Sequence, residues 1–306
     1  MGSILEVDHL TKRFGSFTAV DDISFSVKEG EIVGLLGPNG AGKTTTIHML
    51  LDLMTPSSGS IKYFGHEFPK DREYCLSRLN FASAYSKVQS KMTVHQNLMI
   101  YAGLYGTKNA KQKVKDLLDL LEVSQVANEL FWKLSSGQKT RVIFAKALLN
   151  SPRLILMDEP TASLDPDIAT KIVSMVGKLK KEEGVSILYT SHNMEEVERV
   201  CDRVIFLDHG KIVAEDSVLG LTKRIENSTV TVTFDGSEGP VANYLTRKEF
   251  VFKMVRPHVV EVTVHESDIP KVLFGLSNEN IWLTDIDIKK PDLTDVFLSI
   301  VKGDYE

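Results

Sequence analysis

A chain of 306 residues with 42% hydrophobic and 25% charged side chains has room for one large and one small globular unit, and this composition excludes disordered and fibrous classes. A formal net charge of −5 argues against a protein held on nucleic acid by a basic face, so no nucleic-acid partner is expected. Cys75 and Cys201, far apart and in no C-x-x-C or Cys/His spacing, exclude a disulfide framework or zinc site and read as inert core thiols.

The opening segment carries Glu6, Asp8, Lys12 and Arg13 and lacks the apolar stretch of a signal peptide. No run approaches the ~18 apolar residues of a membrane span. A cytoplasmic chain is therefore expected, with any membrane work left to a separate subunit. Short strands over Ile4–His9, Ile23–Val27 and Ile61–Phe64 surround one continuous apolar strand, Ile32–Leu36. That strand runs into glycines and is followed by a helix from Gly42 to about Leu53, the signature of a strand-loop-helix unit in a parallel α/β sheet. From about 94 to 150 the apolar positions recur at helical spacing, as in Val114, Leu117, Leu118 and Leu121, and predict a helical insertion. Strand and helix then alternate: Leu154–Met157, a helix over Ile168–Lys181, Ser186–Thr190, and a hairpin over Val204–Val213 turning at Asp208-His209-Gly210.

The polar stretch Ser217–Ser228 separates a first unit, 1–220, from a second, 227–306. The second reads as strand, helix, strand, strand, helix, strand and a final helix over Leu293–Val301. Its first six elements have the order of a ferredoxin-like split βαβ unit, a small α+β domain.

The chemistry begins at Gly37-Pro38-Asn39-Gly40-Ala41-Gly42-Lys43-Thr44-Thr45, which fits G-x-x-x-x-G-K-[ST] between an apolar strand and a helix. Glycines let successive backbone N–H groups curl around a polyphosphate, and the helix start adds its positive dipole end. Lys43 can reach the β and γ phosphates, and the Thr44 hydroxyl can ligate Mg²⁺. Farther on, Leu154-Ile155-Leu156-Met157 leads into Asp158-Glu159-Pro160, which places two carboxylates at the carboxyl end of a buried strand, where open α/β sheets bind ligands. Asp158 would hold Mg²⁺, directly or through water, and Glu159 could orient or deprotonate the attacking water. Between these motifs, Leu134-Ser135-Ser136-Gly137-Gln138 precedes a helical run, and Ser135 with Gln138 has the spacing of a capping box.

Phosphate loop, LSSGQ, LILMDEP and a strand ending in Ser191-His192, in that order, resemble the nucleotide-binding domain of the ATP-binding cassette (ABC) family over roughly residues 4 to 216. The resemblance implies a P-loop NTPase fold of ABC type, with an antiparallel β subdomain and a helical subdomain. It implies that Ser135, Ser136, Gly137 and Gln138 meet the γ phosphate of ATP held by a second cassette, in a homodimer or heterodimer. By the same resemblance Phe14 stacks on adenine, the segment Ala162-Ser163-Leu164-Asp165 touches the partner cassette, and His192 reaches the γ phosphate. ATP and Mg²⁺ are the implied ligands. The small C-terminal unit resembles the extension of bacterial drug, polysaccharide or sodium exporters. It implies an ATP-hydrolysing subunit, peripheral on the inner face of the membrane, that powers a separately encoded transmembrane permease. A soluble ABC-type ATPase and a weakly turning-over regulator are the alternatives.

Two positions depart from the family pattern. Counting back from Thr93-Val94-His95-Gln96-Asn97-Leu98, which resembles a family motif, puts the family's metal-ligating Gln near Ala84, within Phe81–Ser86, where this chain has none; that leaves Mg²⁺ to Thr44, Asp158, water and phosphates. Ser136 stands in place of the first Gly of the signature.

Overall fold

The computed structural model describes residues 2–162 and 164–302. The chain folds as two compact units, one ending at Val218 and the other beginning at Leu219. In the first, an antiparallel sheet is formed by β1 (Ser3–Phe14), β2 (Phe17–Lys28), β4 (Ser58–Tyr63) and β5 (His66–Phe68), in the order β2-β1-β4-β5. A six-stranded sheet takes β3 (Ile32–Leu36), β6 (Leu79–Ser83), β7 (Leu154–Asp158), β8 (Ser186–Thr190), β9 (Arg203–Asp208) and β10 (Lys211–Ser217) in the order β10-β9-β3-β8-β7-β6. All its pairs are parallel except the β9–β10 hairpin.

Strand β3 has no exposed residue, as a strand covered on both faces requires. At roughly 1.5–3 kcal/mol for each large apolar side chain taken from water, its branched side chains fix its place in the centre of the sheet. Apolar residues of the antiparallel sheet, among them Leu5, Val7 and Tyr63, share one core with Leu35, Leu156, Leu188 and Ile205 of the parallel sheet and with Ile47, Met49 and Leu50 of α1 (Lys43–Leu50). Cys75 and Cys201 are both buried, and burial raises each thiol above its usual pKa, as inert core positions require.

Between β6 and β7 lie α3 (Val94–Leu104), α4 (Ala110–Leu120) and α5 (Ser136–Leu148), with two short 3₁₀ turns; α2 (Arg72–Leu76) comes before β6. Capping boxes start two of them: Thr93 with Gln96 at α3, and Ser135 with Gln138 at α5. Two helices follow β7: α6 (Pro166–Glu183), opened by Pro166 and closed at Gly184 with φ +64°, and α7 (Met194–Val200). The periodicity reading omits α7, and β1 and β2 run well beyond the predicted strands. Register shifts between Val7 and Arg13 break the alternation that would have marked the remainder of β1.

After α8 (Val218–Thr222), the second unit runs β11 (Asn227–Asp235), α9 (Glu238–Arg247), β12 (Val251–Arg256), β13 (Val259–His265), α10 (Ile269–Asn278), β14 (Trp282–Lys289) and α11 (Leu293–Lys302). Its sheet is antiparallel in the order β12-β13-β11-β14, which is the pairing of a split βαβ unit. Val230, Val232, Val260 and Val262 pack with Val241 and Leu245 of α9 and Val272 and Leu276 of α10 in a core of their own.

Candidate functional site

The carboxyl ends of four adjacent strands align in one row. Leu35 of β3 pairs with Thr190 of β8, Thr190 with Asp158 of β7, and Asp158 with Ser83 of β6. Parallel pairing with this register delivers the phosphate loop, the His192 turn, the acidic pair and the Ala84 loop to one edge of the sheet.

Steric constraints fix the phosphate loop. Gly37 has φ +149°, and a Cβ there would sit 2.1 Å from the carbonyl oxygen of Leu207. Gly42 has φ +105°, and a Cβ would meet the Ala19 carbonyl at 2.6 Å. A side chain at either position would push the loop off the strands that support it. Asn39 and Gly40 are exposed at the crest, Pro38 and Thr45 are half-buried, and Ala41 is buried beneath. Lys43 is 8% exposed, and its ammonium group donates to the carbonyls of Gly37 at 2.6 Å and Pro38 at 3.1 Å. Burial lowers the Lys43 pKa while the charges of Glu159 and Asp158 act in the opposite direction. Thus a desolvated cation, a ring of backbone groups and two carboxylates occupy one site, and a phosphate carrying a divalent cation fits that donor set. Thr44 is exposed on the first turn of α1.

Around the acidic pair the structure adds a residue that sequence reasoning missed. Thr190 donates its hydroxyl to Asp158 Oδ1 at 2.7 Å and accepts from the Glu159 N–H at 3.1 Å. Glu159 has φ +48°, a backbone state that non-glycine residues seldom hold without support from their surroundings. His192 Nδ1 lies 2.7 Å from Glu159 Oε2. Strand β8 ends at Thr190, so His192 stands in the turn ahead of α7 rather than on the strand itself. A Thr directly before Ser191-His192 was the available sequence signal for Thr190.

Ser135 is the N-cap of α5: its hydroxyl accepts from the Gln138 N–H at 3.3 Å while Gln138 Oε1 accepts from the Ser135 N–H at 3.0 Å. Ser136 and Gly137 open the helix and present the first-turn N–H groups that make an anion site. Gly137 has a packing role too, since a Cβ there would meet Ile168 Cγ2 of α6 at 2.6 Å. Asp165 precedes Pro166 at the start of α6 without a side-chain cap bond, and Ser163 falls outside the described residues. Phe14 ends β1 with 48% of its surface exposed and Lys12 Nζ 5.2 Å from its ring centroid, an aromatic face open for stacking rather than a core residue. Ala84 follows β6 and carries no ligand group.

A parallel sheet with a glycine loop, a buried lysine and an acidic pair at its carboxyl edge, and a helical insertion ahead of the acidic strand, define a nucleotide-binding ATPase cassette. A family model described as ABC transporter matches residues 20–162. The linearmycin resistance ATP-binding protein LnrL of Bacillus subtilis is 32% identical, over 97% of this chain and 98% of that one. The bacitracin transport ATP-binding protein BcrA of Bacillus licheniformis is also 32% identical, over 99% of each chain. Among solved structures, an ATP-binding cassette of an ABC transporter in its ADP conformation aligns with TM-score 0.63 and 27% identity, over 71% of this chain and 92% of that one. The chain belongs to the ABC transporter family and is an ATP-binding subunit of it, an ATPase coupled to transport. Among the described residues, no helix is long and apolar enough to cross a membrane.

Proposed function

We propose that this chain drives export through a separately encoded transmembrane permease by closing on ATP against a second cassette. The observation that carries the proposal is that one sheet edge brings Lys43, Asp158, Glu159 and His192 together while the capped start of α5 offers a second anion site. The backbone N–H groups from Asn39 to Thr45 and the Lys43 ammonium hold the phosphates of ATP, and Phe14 stacks on adenine. Thr44 and Asp158 would hold Mg²⁺, which offsets charge on the transferred phosphoryl group. Glu159 takes a proton from the water whose oxygen bonds to the γ phosphorus as the bond to the bridging oxygen breaks, and His192 holds the Glu159 carboxylate in place. Ser135, Ser136, Gly137 and Gln138 of the second cassette cover the γ phosphate, and Asp165 lies at the join between cassettes. Since one chain carries both halves, two copies suffice.

A groove of about 530 Å³ opens beside the Ala84 loop, lined by Tyr85, Val88, Gln89, Trp132, Ile143 and Leu164. Its apolar walls, with Tyr85 70% and Trp132 57% exposed, suit a helical segment of the permease. With Ala84 in place of the metal-ligating Gln, the link from nucleotide to groove passes through the backbone of β6 beside Asp158. The full-length relatives LnrL and BcrA are named for linearmycin resistance and bacitracin transport, which supports export as the direction. On this reading the chain works on the cytoplasmic face of the membrane.

The proposal is tested by purifying the tagged chain from detergent-solubilised membranes. A multi-span protein should co-purify and raise the ATPase rate above that of the chain alone. Recovery with ribosomes or DNA, with no membrane protein, would sink the proposal.

A further inference from the structure

A buried carboxylate outside the sequence motifs bonds to both loops that carry the reacting pair. Glu196 lies on the first turn of α7 and is 7% exposed. Its Oε2 accepts from Thr161 Oγ1 at 2.7 Å, Tyr189 OH at 3.0 Å and Ser191 Oγ at 3.2 Å. Its Oε1 lies 3.5 Å from Asn193 Nδ2, and Asn193 Oδ1 in turn caps α7 by accepting from the N–H groups of Glu195 and Glu196. Three hydroxyls and the Asn193 side-chain amide are the donors that hold this carboxylate in its buried place.

The three hydroxyls come from three segments. Thr161 stands two residues after Glu159, Tyr189 lies within β8, and Ser191 directly precedes His192. Ser191 Oγ also accepts from the Asn193 N–H at 3.0 Å, so the backbone on both sides of His192 is tied into the same network. Burial first, and then the Glu196 charge, raise the Tyr189 phenol well above its ordinary pKa, which keeps it a donor. A buried carboxylate is a poor stabiliser compared with an apolar residue of the same size. Its use here is explained by what the three donors position.

We propose that Glu196 is a positioning residue for hydrolysis, fixing the loop after Glu159 against the turn that carries His192 so that the 2.7 Å Glu159–His192 contact forms in the correct register. This rests on the reading of Glu159 and His192 as the reacting pair. All the partners of Glu196 are protein groups, so it acts through the loops it holds.

Steady-state ATPase of the full chain tests it. Glu196→Ala is expected to lower kcat about 10-fold or more while leaving the KM for ATP within about 2-fold, because binding groups are untouched and only the register of the pair is lost. Glu196→Gln, which can return one amide oxygen to the same three donors, should restore kcat to within about 3-fold of wild type. Thr161→Val, close to Thr in size and lacking one donor, should give an intermediate loss. Val114→Ala on α4 serves as a control for stability alone, and Glu159→Gln is run alongside.

The proposal is overturned if Glu196→Ala and Thr161→Val both keep wild-type kcat, if Gln gives no rescue, if KM rises as kcat falls, or if the loss merely follows Tm as in Val114→Ala. Retained turnover in Glu159→Gln would instead remove the reading of the pair. Loss in Glu159→Gln with none in the Glu196 and Thr161 variants would remove the role of Glu196 alone.

Discussion

Lys43→Ala is expected to lower ATP affinity by about 100-fold, since a charge-assisted contact to phosphate in a desolvated site contributes roughly 1.5–3 kcal/mol and Lys43 makes more than one. The side chain is almost fully enclosed, and its ammonium group is held by the loop carbonyls of Gly37 and Pro38. In an ATP-loaded loop those contacts give way to phosphate oxygens, which makes the lysine both the largest attraction and the group whose desolvation has already been offset. Titration with a fluorescent ATP analogue measures the loss, and an unchanged Tm distinguishes it from unfolding. Affinity within a few-fold of wild type would mean that the loop binds something else.

Glu159→Gln should have the complementary effect, lowering kcat by about 10²–10⁴-fold, the range for loss of a positioned general base, while ATP binds nearly as well as before. The substitution keeps the shape of the side chain. It also keeps the backbone N–H, which donates to the Thr190 carbonyl at 3.2 Å and hydroxyl at 3.1 Å and so holds the residue at φ +48°. What it removes is the carboxylate proposed to take the proton from the attacking water. Steady-state turnover together with an ATP titration separates the two quantities, and turnover within ten-fold of wild type would remove Glu159 from the reaction.

Much of this was legible in the sequence where a segment carries its own signal. Ile32–Leu36 matches β3 end to end because a continuous apolar run stopped by glycine leaves no choice of register. Ser186–Thr190 also matches β8, built on its apolar Ile187, Leu188 and Tyr189, and the capping box at Ser135 and Gln138 forms as its spacing predicts. Helix α7 was not legible. Its seven residues include three glutamates and an arginine, and besides the local Asn193 cap it is held by the buried Glu196, whose donors Thr161 and Tyr189 come from other segments.

The bonds of Thr190 to Asp158 and Glu159, and of Thr161 to Glu196, were hidden for a related reason. Each residue alone reads as an ordinary polar position, and only the pairing of β7 with β8, with α7 following, brings the partners together. Gly137 shows the opposite case: family resemblance supplies a phosphate contact, whereas the structure adds a close approach to Ile168 that pattern reading could not supply. In the second unit the order of elements was readable from alternation, and the strand order β12-β13-β11-β14 followed only from the pairing.

The central claim is that each ATP lies between the phosphate loop of one copy and the Ser135–Gln138 helix start of another. Its most direct test is the ATPase rate of an equimolar mixture of Lys43→Ala chains and Ser136→Arg chains, each expected to be inactive alone. In a two-fold pair, half of the dimers join unlike chains and each of those has one intact site, so the mixture should regain about a quarter of the wild-type rate. No recovery on mixing, or full activity in either parent chain, would contradict the account.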